Sequence, residues 1–415
     1  MGFLLPKAGV RRPIVALVFI VIFIMGGQRL FPSIPRRIQQ QFYGPPGYSS
    51  SQGQPSLVAE DAVILSNFTA GTPKPPGSNY TRTLVVPRLS KEKVDWIDER
   101  FSDINQEIYV VDDLHSLPKT PKNKGREAMV YLTYLIDNYD NLPDIILFMH
   151  SHKLAWHNEE PLNYDANEMI KRLSNERVMR DGFMNLRCNW APGCPDWLHP
   201  KSTEEDPEKP EQPIVANGWR EIFPSQPVPE ILGGQCCAQF AISRERVLAV
   251  PKSHFVYYRD WLLRTKLDDF YSGRVWEYLW HVIFTGQNVY CPAERACFCD
   301  GYGLCFKDDE PYLEFKKLGS VLFGLRQELS NWHKKANAIK KARKERNFAA
   351  LLELEVPAKG RNTELELEIE QKNVVYGGIR EKAFKGGRIP VYVPGLPAGL
   401  GKKATGFELT ALLRI

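Results

Sequence analysis

Asn123 to His152, reading NKGREAMVYLTYLIDNYDNLPDIILFMHSH, is the stretch that decides the fold of this 415-residue chain. Gly125 suits a tight turn. Ala128, Tyr131, Leu132, Leu135 and Ile136 recur at helical spacing, and Asn141-Leu142-Pro143 ends the helix before the unbroken apolar run Ile145 to Met149. Such a run suits a strand buried on both faces. His150 and His152 close it two residues apart, so an extended chain turns both imidazoles to one side. Ligands of open α/β sheets bind at this end of the strands. Structural hydrogen bonding and metal ligation are both open to such a pair.

Upstream, Thr83 to Pro87 reads as a short strand, Lys91 to Phe101 as a helix with Val94, Ile97 and Phe101 on one face, and Glu107 to Val111 as a strand closed by Asp112 and Asp113. Strand and helix therefore alternate from 83 to 152, which implies an α/β fold with a mostly parallel sheet flanked by helices. Downstream the pattern predicts a helix near Asp165 to Leu173 and a strand around Phe183 to Leu186. A long excursion pinned by Cys188 and Cys194 follows. Next come one strand from Gly233 to Ile242, a helix capped by Ser243, helices over 254–268 and 274–285, and a cysteine-rich loop over 291–305. The α/β domain spans 83–306, and 307–415 is a charged extension to which the sequence assigns no role.

Before the domain, the apolar run Pro13 to Gly27 is short for a membrane span of about 20 residues. It has basic flanks and no good cleavage site, which favours a retained signal anchor over 13–28 behind a cytoplasmic stub, 1–12. Residues 29–80 are rich in Pro, Gly and Ser and read as a disordered stem, with glycosylation acceptor triplets at Asn67 and Asn79. All eight cysteines fall between 188 and 305, an even number that an oxidising compartment would pair. These features place the body in the lumen of the secretory pathway, in the Golgi or endoplasmic reticulum. The net charge of +5 is mild for this length and gives no footprint of a nucleic-acid partner. The dense basic run is Lys334 to Arg346, whose usual role is a solvated helix face and whose rarer one is an acidic lipid or acidic chain.

Polar residues gather where the sheet should end: Asp112 and Asp113, His150 and His152, and the pair Glu277 and His281, whose spacing of four puts them on one helix face. Carboxylate with imidazole is a reasonable ligand set for Zn²⁺ or Mn²⁺, and a carboxylate at the sheet mouth can serve as a general base. Glu277 and His281 can equally be a local pair within an aromatic core. Lys124 and Arg126 stand at a helix start that suits an anion, or Arg126 and Glu127 pair with neighbouring charges there. Exposed tryptophans, Trp156 above all, offer a stacking platform for sugar rings. No Gly-x-Ser-x-Gly elbow is present, and no cysteine is placed as a nucleophile, which removes support for acyl transfer.

The Asn123–His152 stretch, together with GGQCCAQFAISRERV, GRVWEYLWHVIF and CPAERACFCDGYGLCF, resembles the family known as domain of unknown function 3431 over roughly residues 83 to 306. More distantly, the order of elements looks like the GT-A fold of nucleotide-sugar glycosyltransferases. That resemblance implies that Val86, Pro87 and Asp112 line a nucleotide site, that Asn123, Gly125 and Arg126 lie near its phosphates, and that Glu277 holds the base position. His150-Ser151-His152 stands where such enzymes carry Asp-x-Asp. Imidazoles there would select a softer divalent metal, or bind phosphate directly if protonated.

The expected protein is a single-pass type II membrane transferase that moves a sugar from a nucleotide donor to a glycan or glycoconjugate, with Glu277 as base and a divalent metal, Mn²⁺ or Zn²⁺, at His150 and His152. Two rivals stand beside it: a zinc hydrolase using His150, His152 and His281, and a non-catalytic carbohydrate-binding or scaffold protein using Trp156, Trp190 and Trp197.

Overall fold

The computed structural model describes residues 68–387, apart from 99, 100, 102, 114 and 205. The expected stub and anchor, most of the expected stem with Asn67, and residues 388–415 lie outside the described residues. No helix among the described residues is long and apolar enough to cross a membrane.

In chain order the first elements are β1 (Arg82–Arg88), α1 (Asp95–Asp98), β2 (Asn105–Val110), α2 (Ala128–Asp137), β3 (Ile145–Phe148), α3 (Ala166–Arg172), α4 (Asn175–Asp181) and β4 (Phe183–Asn185). There follow α5 (Gln212–Ile222), β5 (Gly233–Gly234), β6 (Phe240–Ser243), α6 (Arg244–Leu248), α7 (Lys252–Arg264), α8 (Asp269–Glu277), α9 (Trp280–Thr285) and β7 (Val289–Tyr290). The chain continues through α10 (Glu294–Tyr302), α11 (Asp309–Lys344), α12 (Phe348–Glu353) and α13 (Arg361–Lys385).

The main sheet has the order β2-β1-β3-β6-β4. β1 is parallel to both neighbours, and Val85 sits between Glu107 of β2 and Phe148 of β3. β6 is antiparallel to β3 and to β4, so it alone runs against the other four strands. Side chains that alternate along each strand divide between two cores, as the two-residue period requires. Val85, Ile146, Phe148, Phe240 and Ile242 face one core, built with α2, α5, α7 and the α8–α9 segment. Leu84, Val86, Ile145, Leu147 and Ala241 face the other, with α3, α4 and α10. This is why the 145–149 run has no polar residue. α2 is buried on every side from Ala128 to Ile136 for the same reason: it lies between the sheet and α7.

Five expectations need correction. Gly233 to Ile242 is not one strand, because Gly233–Gly234 pairs with Val289–Tyr290 in a separate two-stranded sheet and only Phe240–Ser243 joins the main one. A Cβ on Gly233 would meet the Pro195 carbonyl oxygen at 2.2 Å, so the glycines serve a close backbone approach. The expected helix over 274–285 breaks at Tyr278 and Leu279, between α8 and α9. The cysteine-rich loop is largely the helix α10, tied down by Cys188–Cys297, Cys194–Cys291 and Cys299–Cys305. The first two of these bonds staple the start of the long excursion to the Cys291–Cys297 segment.

The last part of the stem, 68–80, is also not free. Lys74 pairs with Asp144 at 2.8 Å, Gly71 donates its N–H to the Arg180 carbonyl, and Arg246 stacks on Phe68. Finally, 307–387 is no loose appendage. Tyr312, Phe315, Leu322, Tyr376 and Ala383 complete the second core, the Phe315 and Tyr376 rings stack 4.4 Å apart, and the Tyr376 hydroxyl donates to Glu160 at 2.6 Å. Phe315 is buried, so Phe315→Ala should lower stability by about 3–5 kcal/mol, the usual cost of emptying a buried phenyl site. A urea denaturation midpoint unchanged by the substitution would return the helical hairpin to the status of an appendage.

Candidate active site at the sheet edge

From β1 the chain moves outward to β2 with Val94 and Ile97 on one face of the sheet, then returns past β1 to β3 with α2 on the other face. The order of strands therefore reverses between β1 and β3, and ligand crevices of open α/β sheets form outside the carboxyl ends of the strands at such a reversal. The segments that leave β1 and β3 meet there. Glu92 Oε2 accepts from the Leu89 N–H at 2.8 Å and from Ser151 Oγ at 3.0 Å, and its Oε1 lies 3.4 Å from His152 Nε2. Asp112, at the end of β2, accepts from both the N–H and the hydroxyl of Ser90. The Ser90 N–H bond is the main cause of its lowered pKa.

β3 ends at Phe148, so the alternation of an extended chain no longer orients the two histidines. What gathers them is His157: its ring centroid is 4.7 Å from that of His150 and 6.4 Å from that of His152. His150 Nδ1 and His157 Nε2 are 3.1 Å apart. Gln239, just before β6, fixes the His150 backbone by accepting its N–H, and Gln239 Nε2 donates to Asn158. Burial, then the neighbouring His157 and His152, hold His150 well below the usual imidazole range, and burial takes His157 down to about 4. Both rings are neutral at physiological pH, and because the bond between them uses the single lone pair of one ring, the pair retains one lone pair for a further hydrogen bond or a metal.

His150 Nε2 is buried without a hydrogen-bond partner and lies 3.9 Å from Glu127 Oε2. Glu127 stands at the start of α2, behind a turn in which Gly125 has φ +72° and Arg126 has φ 51°. A Cβ on Gly125 would also press on the Leu262 methyls at 2.6 Å, which that side chain can relieve, so it is the positive φ that favours glycine there. Burial, followed by the charges of Glu277 and Asp269, raises the Glu127 carboxyl to about 8. This group can give or take a proton near neutrality.

Glu277 lies beside this cluster but is already engaged: Oε1 accepts from the Cys237 N–H at 2.9 Å and Oε2 from Arg274 at 2.7 Å. Cys236 and Cys237 are joined to each other. Among the described residues the grouping of three ligand-type side chains that comes together is Cys236, Cys237 and Glu277, and its sulfurs are held in that disulfide. His281 faces elsewhere, because the break before α9 separates it from Glu277. Its Nε2 lies 3.0 Å from the Asn288 carbonyl oxygen and Gly234 packs against its ring, while burial pulls its pKa to about 4. His150, His152 and His281 thus do not form a ligand set among the described residues.

The remaining expected residues divide. Trp156 is 54 % exposed, 5.7 Å from the His157 ring, and next to Arg187. Trp190 and Trp197 are half-buried, with their indole N–H groups given to Pro292 and Tyr278. Arg126 leans on Phe270 and its N–H is held by Asp269. Asn123 and Asn79 are exposed, and the Asp113 side chain caps the turn at His115. Lys124 is buried and spends its ammonium on the Thr265 carbonyl, which removes it from an anion site. Sequence reasoning missed Glu92, Glu127, His157 and Gln239 as parts of one cluster. Only His157 carried a signal, as a third histidine within eight residues of His150.

No curated protein and no solved structure matches the chain. A family model described as protein of unknown function (DUF3431) matches residues 84–300, which run from β1 into α10 and contain every residue of the cluster above. Because that match covers more than half of the 415 residues, the chain belongs to the DUF3431 family.

Proposed function

We propose that this chain is a lumenal, single-pass type II glycosyltransferase that transfers a sugar from a nucleotide donor to a glycan or glycoconjugate. The observation that carries the reading is the meeting of Glu92, Ser151 and His152 at the reversal between β1 and β3, with the neutral His150–His157 pair and the proton-tuned Glu127 beside them. A GT-A-like arrangement is supported by the parallel β2-β1-β3 block followed by the reversed β6. The lumenal placement is supported by the pairing of all eight cysteines.

In this reading the nucleotide lies over the carboxyl ends of β1 and β2, near Asp112, with Asn123, Gly125 and Arg126 on the phosphate side. Trp156 offers its exposed face to a sugar ring. Glu127 takes the proton from the acceptor hydroxyl, the acceptor oxygen bonds to the anomeric carbon, and the bond from that carbon to the diphosphate oxygen breaks with its electron pair leaving on the nucleoside diphosphate. Glu277 is the less suitable base, since both of its oxygens already accept hydrogen bonds, and we assign it the role of holding the Cys236–Cys237 turn against α8. Neutral imidazoles cannot pair with phosphate through charge; a divalent cation, Mn²⁺ or Zn²⁺, would be held by His150, His152 and His157 only after the His150–His157 bond opens, because as they stand the three rings do not form a ligand set among the described residues. When bound, such a cation neutralises the diphosphate. The zinc-hydrolase reading loses support because His281 stands apart, and the binding-only reading because a single exposed tryptophan makes a poor platform.

Two outcomes follow. With nucleotide-sugar turnover as the assay, a base must be deprotonated to act, so the rate should rise with pH and level off above about 8. Glu127→Gln should lower kcat by about 100-fold or more and abolish that rise while leaving nucleoside diphosphate binding in place. Glu277→Gln should retain the rise, and the reverse pattern would move the base to Glu277. Second, Mn²⁺ or Zn²⁺ should raise the thermal unfolding temperature, with about 2.7 kcal/mol of stabilisation at 100 times the dissociation constant. His157→Ala should remove the shift. A shift that survives this substitution would take the metal away from the imidazole cluster.

A further inference from the structure

The helical hairpin that completes the second core extends well past it. α11 is 36 residues long, about 54 Å at 1.5 Å per residue, yet after Leu322 it buries only Ala342. Its far half is instead held by the returning chain: Lys335 bonds Glu355 at 2.6 Å, the Trp332 indole donates to the Ala358 carbonyl, and Arg361 pairs with Glu328. These contacts make the far end a built structure.

Two properties coincide there. Phe348, Leu352 and Val356, on α12 and the turn after it, are 71 %, 90 % and 77 % exposed. Phe348 and Leu352 are four apart on a helix and so share a face. Immediately before them, Lys340, Lys341, Arg343, Lys344 and Arg346 are all exposed, and among the described residues none of the five reaches a carboxylate within ion-pair distance. Glu345, Glu353 and Glu355 are the acidic residues of the same segment, and Glu355 is already held by Lys335.

We infer that this tip docks on a lipid bilayer surface bearing anionic headgroups, with Phe348, Leu352 and Val356 entering the interface and the basic cluster lying against the headgroups. The occupant must be apolar and anionic at once. A second copy of the same tip would bring like charges together, and a purely polar polyanion would leave three large side chains in water. An interface of anionic lipid meets both demands. The inference rests on the hairpin alone and is independent of the proposed transfer reaction.

The test uses the full chain reconstituted into vesicles of neutral phosphatidylcholine and into vesicles that also contain phosphatidylglycerol, so that any insertion by the N-terminal apolar run is common to both. Amide hydrogen exchange over 345–357 is the readout. Exchange should be slower by about tenfold in the anionic vesicles. The double variant Lys340→Glu, Lys341→Glu should lose that difference, and Phe348→Ser with Leu352→Ser should exchange equally fast in both. Equal exchange of the unaltered chain in the two vesicle types overturns the inference. So does protection that follows protein concentration instead of lipid charge, which would mean a second copy covers the tip.

Discussion

Everything in this molecule depends on β1 and β3 being apolar on both faces. A strand of this kind cannot lie at a surface, so it needs a neighbour on each edge and a layer on each side. β2 and β6 supply the edges, α2 with α7 supplies one layer, and α3, α4 and α10 supply the other. Covering both faces forces successive crossovers to opposite sides of the sheet, and the strand order then reverses between β1 and β3. The reversal leaves the loops after these strands diverging from a common line. Glu92, Ser151 and His152 meet on that line.

The same burial sets the chemistry. Glu127 and His150 sit where α2 begins against the sheet, and there desolvation acts on them in opposite directions. It raises the carboxyl toward neutrality and keeps the imidazole uncharged, so both groups are held in their neutral forms 3.9 Å apart. The Cys236–Cys237 turn, Glu277 and Arg274 border the cluster as a fully bonded unit, and the stapled excursion and α10 fix the wall beyond it.

Much of the fold was legible because it obeys local rules. The 145–149 run, the helical spacing from Ala128, the capping by Ser243, and the turn at Gly125 all signal their structures within a few residues. The errors share one cause. The break between α8 and α9 lies within a continuous apolar pattern, and only the packing of Trp276 and Trp280 in one core with His281 turned toward Asn288 shows why Glu277 and His281 part. Gly233–Gly234 serve a backbone contact 38 residues distant from Pro195, which no local pattern records. The candidate site was legible at the level of its location, the end of β3, and at His150, His152 and Trp156. Glu92 and Glu127 were illegible because their significance lies in long-range neighbours: Glu92 meets Ser151 across 59 residues of chain.

The central claim is that a ligand sits over the line between β1 and β3. Its most direct test is hydrogen exchange of the full chain with and without a saturating nucleoside diphosphate and Mn²⁺. Slowed exchange should be confined to Leu89–Glu92, Asn123–Glu127 and His150–His157. An exchange pattern unchanged in those three segments, with slowing elsewhere or nowhere, would contradict the account.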